Sequence, residues 1–152
     1  MIIAEEHPLT PDLELLFQRH TADMHADTPP ESIHMMDKGA LAAPGIRFFV
    51  LRDAGAPMAM GAYKRIDASH AEIKSMHVLT EARGRGLSKA LLDHLIAAAR
   101  AEGLARLSLE TGIQPTFVAA RALYERAGFV ECGPFEGYRE DPNSVFMTKA
   151  LA

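Results

Sequence analysis

The chain has 152 residues, 48% of them hydrophobic, with a formal net charge of −4, which suits one folded domain spanning residues 1–152 with its own core. The acidic balance and the lack of a basic stripe interleaved with aromatics argue against nucleic acid as a partner, and no apolar run nears the ~20 residues of a membrane span. A single cysteine, Cys132, leaves no internal disulfide, and the first residues lack the basic-then-apolar pattern of a signal peptide, so the expected setting is the cytoplasm.

Met1 to Ala4 starts a short strand. Thr10 and Pro11 read as N-cap and first residue of a helix carrying Leu13, Leu16, Phe17 and Met24 at helical spacing. Thr28-Pro29-Pro30 breaks the chain, and Glu31 to Lys38 reads as a second short helix ending near Gly39. Ile46 to Leu51 is β-branched and aromatic, hence a strand. A turn at Asp53 to Pro57 leads to a strand over Met58 to Ile66, and a turn at Asp67 to Ser69 precedes the strand Glu72 to Leu79.

The next segment, Arg83-Gly84-Arg85-Gly86-Leu87-Ser88, carries the strongest chemical signal. Glycines let backbone approach a ligand closely, and several N–H groups converge at the start of a helix, where the peptide dipoles favour negative charge. The inference is an anion site fit for a pyrophosphate. Neither a Walker loop nor Gly-x-Gly-x-x-Gly is present. The helix that follows has Leu87, Ala90, Leu91, His94, Leu95 and Ala98 on one stripe, with Gly103 as its stop.

Ala105 to Glu110 alternates as a strand. Pro115 to Ala127 is helical, with Phe117, Ala120, Tyr124 and Ala127 on one face and Gly128 ending it. Phe129 to Cys132 and Ser144 to Lys149 are the last strands. The order β-α-α-β-β-β-α-β-α-β-β mixes hairpins with crossovers, so the fold class is α/β (α+β), a mixed sheet of about seven strands with about four helices on both faces. His20, His25 and His34 cluster early, but no ligand spacing frames a metal site.

This order, with Arg83-x-x-Gly86-x-Ser88 between the fourth strand and a long helix, resembles the GNAT superfamily of acyl-CoA-dependent N-acetyltransferases. A second block, Ala120-x-x-Leu123-Tyr124-x-x-x-Gly128-Phe129, matches the same superfamily, and the core resemblance runs from about Ile46 to Val130. The segments 29–34, 133–138 and 141–147 look like a bacterial branch that includes proteins named indole-3-acetic-acid acetyltransferases.

The resemblance implies a splayed fourth and fifth strand pair and acetyl-CoA as co-substrate. The loop from Arg83 through Gly84, Arg85, Gly86 and Leu87 to Ser88 holds the pyrophosphate, while Met76, His77 and Val78 pair their backbones with the pantetheine arm. Tyr124 matches the tyrosine that protonates the departing thiolate, and Glu72 the glutamate that some members use as a base. Two departures stand out: the loop ends in Ser88 where Gly or Ala is usual, and Phe117 occupies a place often held by asparagine.

The residues themselves leave alternatives open. Tyr124 also reads as a core tyrosine. Glu72 stands about 13 Å along the strand from Met76 at ~3.3 Å per residue, and it also reads as a solvated partner of Lys74. Glu110 ends the fifth strand beside the expected splay, as a second candidate base or as a cap for the turn at Thr111-Gly112. Substrate contacts are expected from Glu31, Ser32 and His34, and from the long loop with Tyr138, Asp141, Asn143 and Ser144, whose residue types also favour plain turns. The leading expectation is acetyl transfer to the amino group of a small molecule by direct ternary-complex transfer. The alternatives are a non-catalytic acyl-CoA sensor and a protein-lysine acetyltransferase. Relatives of this kind often dimerise, so a homodimer is also expected.

Overall fold

The computed structural model describes residues 1–151. Seven strands form one sheet: β1 (Ile2–Glu5), β2 (Ile46–Asp53), β3 (Ala56–Arg65), β4 (His70–Val78), β5 (Arg106–Gly112), β6 (Val130–Cys132) and β7 (Ser144–Ala150). Their spatial order is β1-β2-β3-β4-β5-β7-β6, with β4 and β5 parallel and every other neighbouring pair antiparallel. Three helices complete the fold: α1 (Glu14–Asp27), α2 (Leu87–Ala101) and α3 (Val118–Arg126).

Sequence and packing agree best in α2. Leu87, Leu91, Leu92, Leu95, Ile96 and Ala99 are buried, and the stripe faces β2, β3 and β4. His94 sits at its margin, edge-on to Phe49 at 5.1 Å. The opposite face of β2 is covered by α1, where Phe17 stacks on Phe48 at 5.7 Å. Leu91 is wholly buried, so truncating it to Ala would cost about 2–5 kcal/mol.

Two local expectations are corrected. Residues 31–38 do not form a helix; a single 3-10 turn at Pro30–Ser32 gives way to irregular chain, and a second 3-10 turn follows at Ala40–Ala42. The reason is tertiary: Ser32 turns its hydroxyl to Asp141, and the His34 carbonyl accepts from Lys74 instead of from a helical N–H. Thr10 does not cap α1. Its hydroxyl donates to the His7 carbonyl at 2.7 Å, and a 3-10 turn at Pro11–Leu13 leads into the helix.

One irregularity shapes the molecule. β3 and β4 pair Met60 with His77 and Ala62 with Lys74, so Ser75 and Met76 together stand opposite Gly61. This β-bulge puts Ser75 at φ 59°, in the left-handed region. Gly61 leaves room there for Met76, whose Sδ would lie 2.5 Å from an added Cβ and would have to shift. Beside the bulge, β4 separates from β5. The two strands pair only at His70–Arg106, Ala71–Leu107 and Glu72–Ser108. Beyond Glu72 they diverge, which is the splay the resemblance implied.

Candidate active site at the strand splay

The diverging strands open a cavity of about 130 Å³ between β4, β5, α1 and α3. The gap between the strands has two ends of different construction: the loop past the end of β4, which lies outside the cavity's lining, and the cavity itself.

At the first end the loop from Arg83 to Ser88 enters α2. Gly84 and Gly86 lie at φ 81° and 76°, a conformation that glycine adopts without strain, and Gly86 caps the helix with no side-chain bond. Among the described residues, none of the N–H groups of Gly84 to Lys89 donates within the protein. Six donors at the positive end of a helix dipole make a site for an anion. The arginine side chains are otherwise engaged: Arg83 bonds the Val78 carbonyl and Asp23, and Arg85 bonds Asp53 at 2.6 Å. Backbone, more than guanidinium, is therefore the exposed donor surface. Along the facing edge, β4 carries no strand partner past Glu72, so Met76 and Val78 border an open backbone edge. The His77 ring lies elsewhere, buried against His20 at 5.3 Å and held neutral, its pKa lowered to about 4 by burial.

Tyr124 borders the same cavity from α3 and packs edge-on to Phe129 at 5.7 Å. Burial lifts its pKa to about 12, so the phenol keeps its proton at neutral pH. No hydrogen bond to its hydroxyl occurs among the described residues, so the donor is free. Phe117 lines the wall as an apolar contact where the resemblance led one to look for a polar one.

At the second end, side chains distant in sequence converge. Glu72 is 3% exposed, which corrects the reading of a solvated partner for Lys74. The Tyr138 hydroxyl donates to Glu72 Oε2 at 2.6 Å, and Lys74 Nζ donates to that hydroxyl and to the His34 carbonyl, each at 2.9 Å, with Glu72 3.5 Å away. Tyr138 also packs against His34, Phe135 and Phe146, so the loop between β6 and β7 is pinned over the site. Glu110 accepts from Ser144 Oγ at 2.9 Å and stands 3.4 Å from His34 Nδ1, an ion-pair distance without hydrogen-bond alignment. Desolvation raises the Glu110 pKa against the opposing pull of Ser144 and His34. Its hydrogen bond from Ser144, with His34 close by, takes the place of the turn-capping role that the sequence left open.

Ser32, His34, Glu72, Glu110 and Asn143 line the cavity. Tyr138, Asp141 and Ser144 stand behind them: Ser32 Oγ donates to Asp141 at 2.7 Å, and the Asn143 amide donates to Ser32 at 3.3 Å. Glu31 is not brought in. It lies on an outer depression with Glu136, Arg139 and Asp141, because the turn at Pro30–Ser32 directs Ser32 inward in its place. Residues unforeseen as cavity lining include His20, Met24 and Thr28 from α1 and its end, and Ser75 from the bulge. No local signal discloses Ser75, because the bulge shows only in the pairing with β3, and Thr28 is masked by the prolines that follow it.

A seven-stranded mixed sheet split between β4 and β5, with a donor-rich loop opening α2 beside the split, defines the GNAT fold. The chain belongs to that family: the model of the acetyltransferase (GNAT) family matches residues 12–129. It is 44% identical over 136 residues to an uncharacterised N-acetyltransferase, YsnE, of Bacillus subtilis (strain 168), covering 90% of each chain. It is 40% identical to an IAA acetyltransferase of Azospirillum brasilense, covering 98% of this chain and 97% of the relative. Among solved structures, a provisionally assigned acyl-CoA N-acyltransferase from Klebsiella pneumoniae superposes with a TM-score of 0.81 at 28% identity, covering 99% of this chain and 97% of the other. An aminoglycoside 6′-N-acetyltransferase complexed with coenzyme A shares the fold, with a TM-score of 0.73 at 15% identity, covering 100% of this chain and 98% of that one.

Proposed function

We propose that this acetyltransferase moves the acetyl group of acetyl-CoA directly to the amino group of a small molecule. The observations that carry the reading are a free backbone donor cluster at the start of α2, just past β4 in the chain, and a cavity beside β4 that holds the unpartnered Tyr124 hydroxyl and a largely buried carboxylate, Glu110. The free N–H groups of Gly84 to Lys89 fit a pyrophosphate, and the open edge of β4 at Met76 to Val78 fits an extended amide-bearing arm.

The chemistry divides among the chain's own groups. The amine forms a bond to the thioester carbonyl carbon, and the Met76 N–H donates to the oxygen that gains charge. The ammonium proton passes to Glu110, whose raised pKa makes it a better base than an ordinary carboxylate. Glu72 is committed to Tyr138 and Lys74 and acts as their anchor. As the C–S bond breaks, Tyr124 donates to the sulfur. Its pKa of about 12 lies roughly three units above that of a free thiol, so Tyr124 keeps its proton and stabilises the departing thiolate by hydrogen bonding, and the thiolate takes its proton from solvent after release. Direct transfer is favoured over a cysteine intermediate, since Cys132 lies in β6, does not line the cavity, and has its pKa raised by burial.

The pinned β6–β7 loop supports a small acceptor over a protein segment. The test is acetyl-CoA turnover against amines, amino acids, indole-3-acetate and short peptides, read by released thiol, with calorimetry of acetyl-CoA binding. Thiol release with an amine class is the expected result. Tight binding with no release across the panel would favour a sensor, and no binding would defeat the reading.

A further inference from the structure

Resting on that reading, the geometry points to the acceptor's class: an amine whose neighbouring substituent is a neutral oxygen group, a hydroxyl or an amide carbonyl, and not a carboxylate. The argument begins with charge. Two carboxylates, Glu72 and Glu110, border the cavity, and each basic side chain there is already matched. Lys74 has three ammonium protons and three acceptors: the His34 carbonyl, the Tyr138 hydroxyl and Glu72. His34 stands against Glu110, so any charge it takes is balanced on the spot. His20 is neutral, its pKa lowered to about 4 by burial and by His77. No arginine lines the cavity among the described residues; Arg121, the nearest on α3, donates to the Gly112 carbonyl at 2.5 Å. A carboxylate on the acceptor would therefore enter a desolvated space, beside two carboxylates, with no unmatched cation to meet it.

What the cavity offers instead is uncharged. Thr28 is 8% exposed, and its hydroxyl is buried with no partner. Ser75 Oγ is likewise buried and unpartnered, and it is held at the bulge in a left-handed conformation that a serine does not adopt for preference. Both residues line the cavity. Orphaned buried hydroxyls carry an unmet hydrogen-bonding cost that a ligand oxygen would relieve. Hydroxyls both donate and accept, so they serve an alcohol or a carbonyl equally, whereas balancing a carboxylate needs a cation. The amine end goes to Glu110 and the oxygen end to Thr28 and Ser75.

The experiment uses matched sets that share one amine skeleton: glycine, glycinamide, ethanolamine and ethylamine, then phenylalanine, its amide, its amino alcohol and 2-phenylethylamine. Thiol release is measured for the wild type, Thr28→Val and Ser75→Ala, with acetyl-CoA affinity measured on each as a check of folding. The expected result is kcat/KM about tenfold or more higher for amides or alcohols than for the parent acids. The two variants should erode the advantage of amide or alcohol over the matched simple alkylamine while acetyl-CoA affinity holds. Equal or better turnover of the acids, or an advantage unchanged in both folded variants, would overturn the inference alone. Failure of every amine to release thiol would overturn the acetyltransferase reading, and this inference with it.

Discussion

The two ends of the strand gap are built by opposite means. The loop end is contiguous in sequence and works through backbone: six unpaired N–H groups between Gly84 and Lys89, released by two glycines at positive φ. The acceptor end is assembled from side chains far apart in the chain. Ser32 meets Asp141 across 109 positions, Tyr138 meets Glu72 across 66, and Lys74 meets the His34 carbonyl across 40. A backbone site tolerates side-chain change, while a side-chain site can be retuned by single substitutions. On the proposed reading this is a division of labour: the co-substrate would meet backbone, which side-chain substitution disturbs least, and the acceptor would meet side chains, which it disturbs most.

The contrast makes graded predictions. Tyr124→Phe, at the border between the two ends, should lower kcat by roughly 10²- to 10⁴-fold and leave acetyl-CoA affinity nearly intact by calorimetry. An unchanged kcat would remove Tyr124 from the chemistry. Glu110→Gln should lower kcat/KM by about 100-fold at neutral pH. In the wild type, kcat/KM should climb as pH rises through the raised pKa of Glu110, and that acid limb should vanish in the variant. The stability effect has a determinate sign. A carboxyl with a raised folded-state pKa favours folding most below its unfolded value, and the benefit is lost as pH rises through the folded pKa. Thermal melts should therefore show Glu110→Gln gaining on the wild type at pH 8, with the gain fading toward pH ~4.

Tyr138→Phe should raise KM for the acceptor by a few fold with kcat nearly held, because it removes the hydroxyl that joins Glu72 to Lys74 but keeps the ring packing. Arg85→Ala should be the mildest, weakening acetyl-CoA by about threefold or less, since its half-exposed guanidinium already serves Asp53. A large loss there would break the comparison, by showing that side-chain charge and not backbone holds the co-substrate.

The same contrast explains what the sequence disclosed. α2, its stripe and its glycine entry are local, so periodicity and turn chemistry reveal them. Tyr124 is legible because it sits in a block of fixed spacing on one helix. The bulge is not legible: Glu72 to Leu79 reads as an unbroken strand, and only the pairing with β3 shows that Ser75 and Met76 share Gly61. The helix expected over residues 31–38 fails for a related reason. Its hydrogen-bonding groups are claimed by Lys74 and Asp141, partners that no local window contains. Glu72 and Glu110 look alike in sequence, and only their surroundings distinguish them: Glu72 is held by Tyr138 and Lys74, Glu110 by Ser144.

The three-residue ladder between β4 and β5 has a mechanical consequence. It is a seam: β1 to β4 on one side and β5 with β7 on the other are each laced by longer antiparallel ladders, yet the two sides pair only at His70, Ala71 and Glu72 of β4. Backbone amides at the far end of β5, from Leu109 to Gly112, should then exchange with solvent through a smaller, sub-global opening than those of β3. A molecule lying along the gap adds the missing stitches. Saturating acetyl-CoA should therefore slow exchange on both lips of the seam together, making the protein's own co-substrate a structural fastener between its two halves.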